Sequence, residues 1–154
     1  MSISEITLPD LDAMATYGGG IAARLKPGDV VALSGPLGAG KTTLARSIIA
    51  ALGHEGEVPS PTFTIIEIYS CPPLRIPVVH ADFYRLEDPS ELQEIGLEDY
   101  RDDAALIAEW PQRAGGFAQE PGCLAIELKT LAQGQGEGRI AIARAGADWL
   151  GRIP

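Results

Sequence analysis

Asparagine is absent from this 154-residue chain. With it goes any Asn-Lys-x-Asp guanine reader, which nearly removes a GTPase reading. Lysine is nearly as scarce, with Lys26, Lys41 and Lys129 the only three. Twelve Lys and Arg stand against 21 Asp and Glu, a formal charge of −9. Such a chain is ill suited to grip nucleic acid unaided, because phosphate contacts need clustered cations. If RNA is the eventual substrate, a partner holds it. Cys71 and Cys123 stand far apart without metal-ligand spacing and read as reduced packing residues. No apolar run approaches the roughly 20 residues that span a bilayer, and the N-terminus lacks the apolar core of a signal peptide. These absences predict a cytoplasmic protein without membrane contact.

What is present is ordinary in bulk: hydrophobic residues make up 45% and charged residues 21%. The length suits one domain, residues 1–154, with a core of its own. Ile3 to Leu8 reads as a first strand. A helix starting at Pro9-Asp10 carries Leu11, Met14, Gly18, Ile21 and Leu25 three and four apart. Gly18, Gly19 and Gly20 fall inside that pattern, although each glycine costs about 1 kcal/mol against alanine in a helix. Thr64 to Tyr69 and Ile76 to His80 read as neighbouring strands, and Asp88-Pro89-Ser90-Glu91 as a helix start with capping Asp88. Ala104 to Glu109, Leu124 to Leu128 and Arg139 to Ala143 read as further strands, the last two separated by a turn over Ala132 to Gly138. Strands outnumber helices and several are adjacent. The expected fold is therefore α/β: a mixed sheet flanked by helices.

One segment carries most of the function. Gly35-Pro36-Leu37-Gly38-Ala39-Gly40-Lys41-Thr42 completes the pattern G-x-x-x-x-G-K-[ST] of a phosphate-binding loop. Before it, Asp29 to Ser34 reads as a buried strand. After it, Thr43 to Leu52 reads as a helix stopped by Gly53. A strand feeding a glycine-rich turn and a helix N-terminus aims several backbone N–H groups at one point, with the helix dipole behind them. Lys41 is expected to face solvent in the empty state and to reach the β- and γ-phosphates, while the Thr42 hydroxyl ligates Mg²⁺. Thr43 completes the nucleotide-binding set. A nucleotide hydrolase also needs carboxylates opposite this loop, at the end of a neighbouring buried strand. Val78-Val79-His80-Ala81-Asp82 and Leu106-Ile107-Ala108-Glu109 each place an acid there. Ser60-Pro61-Thr62-Phe63, on the loop after the phosphate-loop helix, offers hydroxyls that could sense the γ-phosphate or metal, or a plain proline loop.

Together, Gly35–Thr42, Ser60-Pro61-Thr62-Phe63, His80-Ala81-Asp82-Phe83-Tyr84-Arg85-Leu86 and Glu109-Trp110-Pro111 resemble the TsaE (YjeE) family. These are small bacterial P-loop ATPases of tRNA threonylcarbamoyladenosine biosynthesis, and the likeness covers nearly the whole chain. The resemblance implies ATP and Mg²⁺ as cofactors, and TsaD-like transferase and TsaB-like partners, with tRNA met only through the complex. It further implies that hydrolysis serves the turnover of that complex. Carried over by position, Thr42 and Glu109 are Mg²⁺ ligands. Asp82 orients water or joins the metal's surroundings, and Ser60 and Thr62 lie on a switch-like loop. Trp110 walls the nucleotide site, and the Leu8–Asp10 region and Lys129 approach the base. His80 reads as a hydrogen-bonded structural histidine. A small-molecule kinase would carry an arginine-rich lid, whereas Arg85, Arg101 and Arg113 are scattered; a kinase is kept as the alternative reading, and a binding module without turnover as a third.

Overall fold

The computed structural model describes residues 2–131 and 138–154. The expected turn over 132–138 therefore lies outside the described residues, save for Gly138. The chain runs β1 (Ser2–Leu8), α1 (Leu11–Arg24), β2 (Val30–Ser34), α2 (Lys41–Ala51), β3 (Ile66–Tyr69) and β4 (Val78–Asp82). Then follow α3 (Glu91–Ile95), α4 (Leu97–Arg101), β5 (Ala105–Glu109), β6 (Cys123–Thr130) and β7 (Arg139–Ala145). Short 3-10 turns occupy Pro111–Ala114 and Ala147–Trp149. Among the described residues, seven strands form one sheet in the order β1-β7-β6-β2-β5-β4-β3. The centre is parallel, β6, β2, β5 and β4, while β7 and β3 run against it. The expected mixed α/β sheet is what the chain forms.

Burial on both faces explains why the central strands are apolar without alternation. Val31 and Leu33 of β2 join a layer with Ile21, Leu44 and Ile48 under α1 and α2. Val30 and Ala32 join the opposite layer with Phe83, Leu97 and Phe117. Among the described residues, no helix is long and apolar enough to cross a membrane.

The glycine triplet inside α1 has a packing reason. A Cβ at Gly18 would lie 2.6 Å from the Ser47 Cβ of α2, whereas one at Gly19 would meet nothing within 4 Å. Gly18 lets the two helices approach; Gly19 does not serve that contact. Asp10 supports the same helix by accepting the Ala13 N–H at 2.8 Å, as an N-cap should. Gly18→Ala is therefore expected to destabilise the fold despite alanine's better helix propensity, and Gly19→Ala to stabilise it by about 1 kcal/mol. Urea unfolding of the two variants compares them, and equal responses would refute the close-approach argument.

One local expectation needs correction. Asp88 does not cap the helix: its Oδ1 accepts the Ser90 N–H at 2.9 Å in a turn, and Glu91 Oε1 accepts the Asp88 N–H at 3.2 Å. The helix begins only at Glu91, with Ser90 at its N-cap, because Asp88 to Ser90 are held in that turn. Gly96, left-handed at φ 79°, then separates α3 from the unforeseen α4. Five residues per helix are too few for a periodic signal.

Candidate nucleotide-binding site

The C-terminal ends of β2, β5 and β4 lie side by side on one edge of the sheet, and the site is built there. Beyond β2 the chain turns sharply at Gly35, whose φ of 138° suits glycine. A Cβ there would also collide with the Leu128 carbonyl of β6, so no other residue fits. The loop leads directly into α2, which begins at Lys41 rather than at Thr43. Loop and helix are thus one unit, with the first-turn N–H groups directed out of the helix end.

Lys41 does not face solvent as expected: it is 5% exposed. Its ammonium bends back over the loop and donates to the carbonyls of Gly35 at 2.8 Å and Pro36 at 2.9 Å. Of three N–H groups, two are committed and one is left for a ligand. The Trp110 ring lies under the same Nζ, 4.4 Å from its centroid. Burial pushes the Lys41 ammonium below the usual lysine range, against the pull of Glu109 and then Asp82. Trp110 holds its place with a left-handed backbone, φ 55°, a conformation that costs a non-glycine residue about 1–2 kcal/mol.

The two acids come together because Asp82 and Glu109 are register partners on the parallel strands β4 and β5. Both are buried. The Thr42 hydroxyl donates to Glu109 Oε1 at 2.7 Å, joining the start of α2 to the end of β5. The other Glu109 oxygen, Oε2, lies 2.7 Å from His80 Nε2. Asp82 Oδ2 accepts from the Thr62 hydroxyl at 3.0 Å, and its Oδ1 accepts the Tyr84 N–H at 3.0 Å. Ser60 touches this arrangement at one remove, 2.8 Å from the Thr62 hydroxyl. The loop carrying Ser60 and Thr62 is thereby tied to the end of β4.

These groups line a cavity of about 780 Å³ with Leu37, Gly38, Gly40, Lys41, Thr42, Thr43, Thr62, Asp82, Glu109 and Trp110 on its walls. Gly35, Pro36 and Ala39 shape the loop without lining the cavity, and Ser60 stands outside it. Leu8, Pro9 and Asp10 close another side, as the resemblance implied, but Lys129, exposed near the end of β6, is not on the wall. Leu11, Asp12, Met14 and Arg139 are additions that sequence reasoning missed. Arg139 binds the phosphate loop from β7, its Nε donating to the Ala39 carbonyl at 3.0 Å and its Nη2 to the Gly38 carbonyl at 3.1 Å. A single arginine opening a distant strand carries no local signal of this.

The Thr42 hydroxyl and the Glu109 and Asp82 carboxylates on the cavity wall are oxygen donors that could hold a hard cation such as Mg²⁺, which takes one or two carboxylates and completes its shell with water and substrate phosphates.

Residues 8–139 match the family of the threonylcarbamoyl adenosine biosynthesis protein TsaE. The chain belongs to the TsaE family. The phosphate loop, Ser60–Phe63, His80–Leu86 and Glu109–Pro111 all fall within the matched span. Three relatives bear the name tRNA threonylcarbamoyladenosine biosynthesis protein TsaE. The one from Haemophilus influenzae is 44% identical over 92 residues, 59% of this chain and 57% of that protein. The one from Mycobacterium bovis is 41% identical over 111 residues, 68% of this chain and 66% of that protein. The one from Rickettsia bellii is 34% identical over 129 residues, 83% of this chain and 88% of that protein. The chain thus spans less than two thirds of the first two relatives' length. The crystal structure of Bacillus subtilis YdiB superposes with a TM-score of 0.78 at 25% identity, covering 98% of this chain and 91% of that one.

Proposed function

We propose that this chain is a single-domain, Mg²⁺-dependent ATPase of tRNA threonylcarbamoyladenosine biosynthesis, acting in the cytoplasm to support turnover of a TsaD-like transferase and its TsaB-like partner. The observation that carries the reading is the Thr42–Glu109 hydrogen bond beside Lys41. It draws a hydroxyl from the phosphate-loop helix and a carboxylate from a neighbouring strand to one point at the phosphate end of the cavity.

The residues divide the work by their chemistry. The loop amides and the free Lys41 N–H hold the β- and γ-phosphates. Trp110 packs against Lys41 and walls the site. Asp82 and Glu109 set two carboxylates beside Lys41 at the end of the cavity where the phosphates would lie. Thr42 and Glu109 would hold a Mg²⁺ that arrives with ATP, and its charge would offset that of the phosphates and carboxylates. Asp82 accepts one bond at each oxygen and retains lone pairs with which to orient the attacking water. Thr62, bonded to Asp82, places the Ser60–Phe63 loop where it senses the γ-phosphate.

The formal charge of −9 favours contact with tRNA through a basic assembly rather than directly. Arg85 supports a partner role, being exposed and stacked over Phe63 at 4.5 Å instead of lining the cavity. Steady-state phosphate release should therefore be slow for the chain alone and should rise when TsaB, TsaD and tRNA are added. A fast basal rate that ignores them would overturn the accessory role.

A further inference from the structure

We infer that His80 is a positioning residue for this site: its Nε2–H fixes the Glu109 carboxylate so that the opposite oxygen meets Thr42 and the incoming cation. The inference rests on the ATPase reading above and extends it to a side chain buried behind the cavity. His80 is fully buried, and its Nε2 lies 2.7 Å from Glu109 Oε2. An ionised carboxylate has no hydrogen to give, so opposite Glu109 Oε2 the ring nitrogen is the donor whether the imidazole is neutral or charged, while Oε1 accepts from Thr42. The last torsion of a glutamate is otherwise broad. A donor on each oxygen locks it.

The placement is specific. His80 is the register partner of Ile107 and precedes Asp82 by two residues, so it shares their face of the sheet and reaches diagonally to Glu109. Val78 and Ile107, on that face, are aliphatic core residues. An aliphatic side chain at position 80 would continue this layer without an unpaired ring nitrogen, but would leave the buried Glu109 Oε2 without its donor. The histidine instead leaves its Nδ1 buried without a partner among the described residues, a standing cost to the fold. The Glu109 contact is what the ring gains for that cost.

The test measures nucleotide affinity with a fluorescent ATP analogue, in chelator and across a Mg²⁺ titration, alongside kcat and thermal stability. Gln carries its amide N–H₂ as many bonds from Cα as Nε2, Asn ends one bond short, and Leu has no donor. His80→Leu and His80→Asn are expected to raise the Mg²⁺ needed for half-maximal binding about 10- to 100-fold and to lower kcat, the range for losing a group that orients a metal ligand. Metal-free affinity should hold, and His80→Gln should restore most of the Mg²⁺ response. If His80 only fills the core, Gln and Asn will differ from the parent in stability but not in Mg²⁺ response, which overturns the inference. Should His80→Leu fail to fold, the Gln and Asn pair decides. Lys41→Met is measured beside them: if it binds ATP like the parent, the ATPase-site reading itself fails. If it does not bind and the His80 variants keep the parental Mg²⁺ response, only the role of His80 falls.

Discussion

Replacing Lys41 with alanine is expected to lower ATP turnover by at least about 10²–10³-fold, the scale on which a single donor to developing charge matters in an active site. Its ammonium sits at the phosphate end of the cavity, held between the Gly35 and Pro36 carbonyls and the Trp110 ring. Binding of ATP should weaken with turnover, because the same N–H serves both the ground state and the transition state. Since Lys41 is buried, the alanine variant also removes packing and leaves two carbonyls without their donor. Lys41→Met keeps an apolar stem of similar length, and so the packing, but likewise removes the charge and the donor to the two carbonyls. Both variants should lose activity while circular dichroism shows the fold kept. Activity retained in a folded Lys41→Met would end the phosphate-loop assignment.

The second large effect separates the two carboxylates. Glu109 meets Thr42 and Asp82 meets Thr62, so their neighbours differ although the acids are adjacent in register. Glu109→Ala should shift the Mg²⁺ dependence of nucleotide binding, because it removes the charged half of the Thr42–Glu109 pair. Asp82→Ala should instead lower kcat by about 10²–10⁴-fold, the range for a group that positions or accepts a proton, with affinity largely kept. Affinity titrations across Mg²⁺ concentrations, paired with phosphate-release rates, distinguish the two. The opposite pattern would mean that the acids exchange roles.

The Arg139 contacts show where inference from neighbouring residues stops. Its guanidinium steadies the Gly38 and Ala39 carbonyls from a strand about 100 residues later. Those carbonyls belong to the same peptide groups as the Ala39 amide, which donates to the Pro36 carbonyl, and the Gly40 amide, so holding them fixes the orientation of the loop's peptide planes. The Lys41 misreading has a similar origin. Phosphate-loop lysines are defined by what they reach, but this side chain's burial comes from Trp110 and from the path of the loop itself. Gly18 is the converse case: a residue unfavourable by propensity was kept in the helix because α2 lies against it.

The amino-acid sequence by itself determined the strand–loop–helix unit, the two carboxylates at the ends of apolar runs, and the acidic balance that makes a direct grip on tRNA unfavourable. Each is a short-range property: Gly35 through Thr42 specify their own turn, and Asp82 and Glu109 each follow an apolar stretch that has to be buried. Tertiary structure alone decided that these acids face the loop together, that His80 stands behind Glu109, and that Arg139 braces the loop. Those facts depend on the strand order β6-β2-β5-β4 and on the register pairing Asp82 with Glu109. Strand order and register minimise exposed apolar surface and unpaired backbone groups across the whole sheet, and no window of neighbouring residues contains that sum.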